Sequence, residues 1–294
     1  MIKFGNFLKY DYKTRLVFFC LALGTLLLGI IFYSQYFRPH LLKVSFYNIG
    51  QGDAIFIETP SRFQMLVDAG PGPKILEELS RDLPFYDRSL NLIVPTHADS
   101  DHVSGMIDVL ERYSIDTIML DPHLGKTTVY DRLMESVKQE GARIFYAGRS
   151  QDSKQLQPIA LPGGVTFKIL NPVVGYPEKT TNDDSIALLV EYGAFKLLLL
   201  ADVTARIEDQ LLPLLPSGIQ VVKIAHHGSR FSSGQQFLQT LAPQLCVVQV
   251  GKNRYGHPSK EALASIQSAH CHLWRTDTMG ALTLYSDGKT YWIK

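Results

Sequence analysis

Residues 94–105 read V-P-T-H-A-D-S-D-H-V-S-G, and His97, Asp99, Asp101 and His102 fall within six positions of it. Two imidazoles and two carboxylates at that spacing form the mixed nitrogen and oxygen set that a divalent cation takes. An Asp-Ser-Asp run ahead of a helix also suits capping. The alternation of ligand types in H-x-D-x-D-H is what points beyond a cap. An apolar run, Asn91-Leu92-Ile93-Val94, leads in, and Val103, Ile107, Val109 and Leu110 lead out at helical spacing. The cluster is therefore expected on a loop between a strand end and a helix start, where α/β enzymes place their chemistry.

The same arrangement recurs twice. Leu197-Leu198-Leu199-Leu200 ends in Ala201-Asp202, and Val221-Val222-Lys223-Ile224-Ala225 ends in His226-His227-Gly228-Ser229. If the three strands lie side by side, all these groups converge on one edge. As neighbours at a strand end, His226 and His227 are expected to face opposite sides. One is then expected as a ligand, His226 ahead of His227, and the other as a supporting or structural group. Lys223 reads as an ordinary strand residue. Strand-rich stretches at both ends enclose strand–helix units. This predicts an α+β architecture of two facing sheets with helices outside, rather than one doubly wound sheet. Tyr192-Gly193-Ala194 reads as a hairpin turn, and no linker divides residues 41–294.

The first 40 residues differ. Leu16 to Tyr33 is an 18-residue run without a charge, close to the minimum for a membrane span. Lys3, Lys9, Lys13 and Arg15 precede it, and Arg38 and Lys43 follow. That bias predicts a cytoplasmic N-terminus and an exported remainder. A cleaved signal peptide is the alternative. The run ends in Ile-Ile-Phe-Tyr-Ser-Gln-Tyr-Phe, a poor cleavage site, and Phe32, Tyr33, Tyr36 and Phe37 suit an interfacial belt. The expectation is an anchor over 1–40 (span about 16–33) and one domain over 41–294.

The chain has 29 basic and 28 acidic residues, but six of the basic ones and a single acid lie in residues 1–43. The remainder is thus about −4, which argues against a strongly basic nucleic-acid surface and leaves room for a local groove. Of three cysteines, Cys20 lies in the apolar run. Cys246 and Cys271 either pair in an exported domain or remain buried thiols.

Together these motifs resemble the metallo-β-lactamase superfamily. Its usual form is H-x-H-x-D-H, so Asp99 is a departure. The closer resemblance is to the C-terminal domain of ComEC-type competence DNA-uptake proteins. It is carried by N-x-G-Q-G-D-A at 48–54, D-A-G at 68–70, H-x-D-x-D-H at 97–102 and N-D-x-S at 182–185. A-H-H-G-S at 225–229, Y-G-H-P at 255–258 and R-T-D at 275–277 complete it. The resemblance covers about residues 42–294 and does not include a multi-span channel. It implies an αβ/βα sandwich of two mixed sheets flanked by helices, preceded here by one transmembrane helix.

The resemblance also implies a site for two divalent metal ions. His97 and Asp99 would serve the first, Asp101 and His102 the second, with Asp202 bridging and His226 completing the second. The family's third-motif histidine has no match; Asn182 and Asp183 are expected in its place, with a plain β-turn as the alternative. Asp101, His227 and His257 are the catalytic candidates, His257 as a group that stabilises or protonates a leaving group. Gln51 and Asp53 are candidates to hold the site from behind. Three carboxylates and about three neutral imidazoles leave two divalent ions with surplus positive charge, which suits an anionic substrate and a water nucleophile near neutral pH. Asp99 in place of histidine hardens the site and admits Mn²⁺ beside Zn²⁺.

The expected function is a membrane-anchored phosphodiesterase with nuclease character. It would sit at the bacterial inner membrane with its domain outside, take DNA as substrate and have a separate channel or DNA-uptake component as partner. The alternatives are a metal-dependent hydrolase of a small ester, lactone or nucleotide, and a non-catalytic DNA- or channel-binding accessory. Asp99 and the H-H-G-S stretch argue against a lactamase proper.

Overall fold

The computed structural model describes residues 11–36, 41–123, 125, 127–150, 156–175 and 180–294. Residue contacts divide the chain into one unit within 1–40 and another over 41–294. The first contains a 25-residue helix, Tyr12–Tyr36. At 1.5 Å per residue it is about 37 Å long, and its stretch Tyr12–Ile30 is long and apolar enough to cross a membrane. Asp11 opens it, its Oδ1 accepting from the Thr14 N–H at 3.0 Å. Lys3, Lys9, Phe37 and Arg38 lie outside the described residues, as do the side chains of Phe32, Tyr33 and Tyr36.

The second unit is built on two mixed sheets. In the first, β1 (Leu42–Phe46), β2 (Ile55–Glu58) and β3 (Gln64–Val67) form an antiparallel meander. From β3 onward β4 (Ser89–Val94), β5 (Ser114–Leu120) and β6 (Arg143–Tyr146) run parallel. The second sheet repeats the plan. β7 (Ile159–Ala160), β8 (Val165–Asn171), β9 (Ala187–Tyr192) and β10 (Phe195–Leu199) are antiparallel. β11 (Val221–Lys223), β12 (Leu245–Val248) and β13 (His272–Arg275) are parallel. The last two strands, β14 (Leu282–Ser286) and β15 (Tyr291–Ile293), return to the first sheet beside β1.

Side-chain alternation decides the layering. Phe195, Leu197 and Leu199 of β10 join Val44, Phe46, Ile55, Val67 and Val221 in the core between the sheets. Leu198 and Leu200 face the other way, into a core with Ile207, Leu211, Phe237 and Ile266 under the outer helices. Phe56, Leu66 and Ile93 do the same on the first sheet, against Ile75, Leu79, Val103, Met106 and Leu133. Both faces of the central strands are covered, so four leucines in a row are stable there. The expected αβ/βα sandwich is the observed fold.

The hairpin at 192–195 is present, with Phe195 opposite Tyr192. β9 starts at Ala187, after Thr181–Asp184 forms a helical turn closed by Thr180 Oγ1 accepting from the Asp183 N–H. Cys246 and Cys271 form a disulfide with Cα atoms 5.9 Å apart, so the paired alternative is the observed one.

Candidate metal centre

The parallel strands bring their C-terminal ends to one rim of the sandwich. The 97–102 cluster follows β4, Asp202 follows β10, and His226 and His227 follow β11. Main-chain hydrogen bonds stitch these ends together. The His226 N–H donates to Ala201 O at 2.9 Å, Ile186 N–H to Thr96 O at 2.9 Å, and Ala69 N–H to His102 O at 2.8 Å. Gly52 packs against the cluster so closely that a Cβ there would stand 2.0 Å from Asp101 O, at φ +131°. The G-Q-G-D turn is therefore shaped to its contact with the ligand loop.

Asp202 is the hub. Its Oδ2 lies 3.4 Å from His102 Nε2, 3.6 Å from His227 Nε2, 3.7 Å from His226 Nε2 and 3.9 Å from His97 Nε2. His227 Nε2 is also 3.4 Å from Asp101 Oδ2, and His97 Nε2 is 3.7 Å from Asp99 Oδ2.

The groups behind the imidazoles fix which nitrogen faces inward. His102 Nδ1–H donates to Asp68 Oδ2 at 2.7 Å. His227 Nδ1–H donates to Gln249 O at 2.9 Å. Thr96 Oγ1 gives its one proton to Asp68 Oδ2, so it accepts from His97 Nδ1–H at 2.9 Å. Three imidazoles thus turn Nε2 toward Asp202, as metal-binding histidines held from behind do. His97 Nε2 and Asp202 Oδ1 are buried with no hydrogen-bond partner among the described residues. Leaving such groups unpaired is costly, and a divalent cation among them removes the cost. The residues present fit a metal.

Asp53 lies on the far side of His227, its Oδ1 3.2 Å from Nδ1, and its Oδ2 pairs with the buried Lys223 ammonium. It sits within reach of the His102, Asp202 and His227 group. One of its oxygens pairs with Lys223 and the other lies beside the Nδ1–H that His227 gives to Gln249 O, so Asp53 faces the back of the His227 ring.

Electrostatics follow burial and charge. Burial works to raise Asp202, but His102 and His227 overcome it and hold the carboxyl well below its usual range. Asp101 is held low in the same way against burial, by hydrogen bonding to His227 and the charges of His102 and His227. Burial works to lower His102 and His227; Asp202 with Asp68 raises the first, and Asp202 with Asp53 raises the second to about 9. His257 goes the other way: burial, then His226 and His227, push it down to about 4.

Two expectations meet a different local geometry. His227, rather than the less buried His226, joins Asp53, His102 and Asp202 in a buried group of ligand-competent atoms, and its Nε2 lies 3.4 Å from Oδ2 of the partly exposed Asp101. Strand alternation does not apply, because β11 ends at Lys223. The 225–228 turn holds both histidines in the left-handed region, at φ +49° and +53°. Both rings therefore face the hub, His227 buried and His226 at the rim, where Asn182 Nδ2 is 3.5 Å from it. Asp183 turns away: its oxygens accept from Thr204 N–H and Oγ1–H and from Arg206, at 3.2, 2.6 and 3.0 Å. Asn182 and Asp99 remain at the open edge, Asp99 Oδ1 accepting from Thr181 Oγ1 at 3.3 Å.

The structure adds residues that the motifs did not single out by role. Asp68, Thr96 and Gln249 hold the imidazoles, and Lys223 neutralises Asp53. A lysine inside Val221–Ala225 was the available signal, since a lysine is rarely fully buried without a partner. Asp121, His123 and Asp184 flank His97 around a cavity of about 40 Å³, His123 Nδ1 lying 3.1 Å from Asp184 Oδ1.

Comparison with known proteins agrees with this fold. Residues 47–252 match the family described as the metallo-beta-lactamase superfamily. ComE operon protein 3 of Bacillus subtilis (strain 168) is 26% identical over 82% of this chain and 32% of its own length. Competence protein ComA of Neisseria gonorrhoeae is 28% identical over 87% of this chain and 34% of its own. The chain thus spans about a third of the curated relatives it matches. Among solved structures, the metallo-beta-lactamase fold protein YhfI from Bacillus subtilis superposes with a TM-score of 0.54 at 12% identity, covering 83% of this chain and 99% of that one.

Proposed function

Since the chain belongs to the metallo-beta-lactamase superfamily, we propose that it is a two-metal phosphodiesterase with nuclease character, anchored in a membrane by its first 40 residues. The observation that carries this reading is Asp202 Oδ2, central to four imidazole Nε2 atoms. One carboxylate so placed would serve two ions, with His97 and Asp99 on one side and Asp101, His102 and His227 on the other. His226 and Asn182 stand at the open edge. Bound divalent ions, Zn²⁺ or Mn²⁺, supply a water nucleophile near neutral pH and charge for a phosphoryl oxygen. Asp68, Thr96 and Gln249 keep the three Nε2 atoms aimed, and His257 offers a neutral imidazole beside the leaving group.

Phosphodiesters are favoured over other esters because Arg230, Lys260 and His257 line the cleft that opens beside His226. The competence and recombination proteins among its relatives support DNA as the substrate, and the partner proposed with it is a separate channel or DNA-uptake component. The charge-free run Leu16–Tyr33 of the N-terminal helix, preceded by Lys3, Lys9, Lys13 and Arg15, supports an inner-membrane anchor with the domain outside. The Cys246–Cys271 disulfide supports the same side, since disulfides persist in oxidising compartments.

The purified chain should carry two metal equivalents and cleave bis(p-nitrophenyl) phosphate and DNA. Asp202→Asn should lose both properties while remaining folded. Less than one equivalent of bound metal would overturn the reading in favour of a non-catalytic accessory. The acidic balance of residues 44–294 favours a second reading, a hydrolase of a small ester, lactone or nucleotide. Turnover of such esters with DNA left intact would select it.

A further inference from the structure

The cleft beside the metal centre, about 590 Å³, lies between two loops, 229–231 and 255–259, the second leading into the helix Lys260–Ser268. Each loop presents an aromatic ring to solvent: Phe231 is 62% exposed and Tyr255 74%. A single exposed aromatic means little. Here two sit on separate loops flanking one cleft, and the Arg230 guanidinium lies 4.7 Å from the Phe231 ring centroid. Both loops are pinned. Asn253 accepts from the Tyr255 and His257 N–H groups at 3.1 and 3.0 Å and donates to His257 O at 2.8 Å. Ser232 Oγ–H donates to Val203 O at 2.8 Å. From Tyr255 a row of rings leads inward, with centroids 5.7 Å apart to His257, 5.4 Å to His226 and 6.2 Å to His227. Arg230 and Lys260 are exposed on the cleft, against one lining acid, Glu261.

We infer that this cleft is a landing subsite for a single polynucleotide strand, with bases stacked on Phe231 and Tyr255 and phosphates held by Arg230 and Lys260. Unpaired bases offer a free face to a ring, whereas bases in a duplex are already stacked; ring and cation together are the recurring device for binding single strands. The row of rings then carries the strand toward the buried centre. The local cations explain how a domain of acidic balance takes a polyanion. The inference rests on the phosphodiesterase reading for the cleavage of a bound strand, but binding itself is measured apart from it.

The test uses the full chain in detergent, stripped of metal with EDTA. Fluorescence anisotropy is read with labelled oligonucleotides of about twelve residues as dT, as U and as a duplex. Phe231→Ala and Tyr255→Ala should each weaken single-strand binding about tenfold, a stacking contribution of about 1.4 kcal/mol. Phe231→Trp should retain binding, and Phe85→Ala, exposed elsewhere, should leave it unchanged. Arg230→Gln and Lys260→Gln should each flatten the slope of log K against log salt by about 0.7. Equal binding of dT and U assigns the subsite to single strands in general, and a preference for one names the polymer. The inference is overturned if the alanine substitutions leave the Kd within about twofold, or if duplex binds as tightly and loses as much. A chain that cleaves bis(p-nitrophenyl) phosphate but binds strands equally with and without the rings refutes the subsite alone. A chain that binds through the rings and cleaves nothing refutes the hydrolase reading alone.

Discussion

Lys223→Met isolates the charge behind the centre. Lys223 is fully buried on β11, and its ammonium pairs with Asp53, itself 1% exposed and 3.2 Å from His227 Nδ1. Methionine preserves most of the stem, so the cavity contribution is small. The substitution leaves a buried carboxylate without its counter-charge, close to a histidine already shared with Asp101 and Asp202. Removing one partner of a buried pair costs about 3–5 kcal/mol. For a unit of this size the urea m-value is near about 3 kcal/mol/M, so the midpoint should fall by about 1–1.7 M. Urea denaturation of residues 41–294 followed by circular dichroism measures it. Asp53→Asn in the same background should recover about 1–3 kcal/mol relative to additivity. A loss under about 1 kcal/mol for Lys223→Met, or strict additivity with Asp53→Asn, would refute the ion-pair support inferred for His227.

Three further outcomes are expected from the geometry. His227→Ala should lower metal content and weaken affinity by more than the about 10–100-fold typical of groups behind ligands, while His226→Ala should keep the stoichiometry; elemental analysis and calorimetric titration decide, and the reverse pattern would restore His226 as the buried ligand. Burial raises Glu208 to about 7, although its carboxylate accepts from the Ser233 and Gly234 N–H groups at 2.7 and 3.2 Å. A folded-state value above the unfolded one gives stability that is full below about pH 4.5 and lost as pH rises through about 7. Stability measured from pH 5 to 8 should therefore fall in the parent relative to Glu208→Gln, and parallel curves would count against a protonated Glu208. Gly52→Ala should cost about 2–5 kcal/mol through its clash with Asp101 O and its positive φ, read as a drop in melting temperature; an unchanged value would mean that the 48–54 turn does not bear on the ligand loop.

The sequence by itself determined the elements and most of the site. The apolar run Leu197–Leu200, a ligating residue after each such run and the H-x-D-x-D-H spacing are local properties, readable without knowing any long-range contact. They suffice for two covered sheets and for His97, Asp99, Asp101, His102 and Asp202 at one rim. Tertiary structure alone decided which histidine enters the buried group, because that depends on a left-handed turn tied to Ala201 and on Gln249, 22 residues along the chain, accepting from Nδ1. It also decided that Asp183 faces Thr204 and Arg206, that Lys223 meets Asp53 across 170 residues, and that Cys246 reaches Cys271. A side chain's type shows what it can bind. Which partner it meets is set by strand register and loop closure, and these are properties of the packed chain.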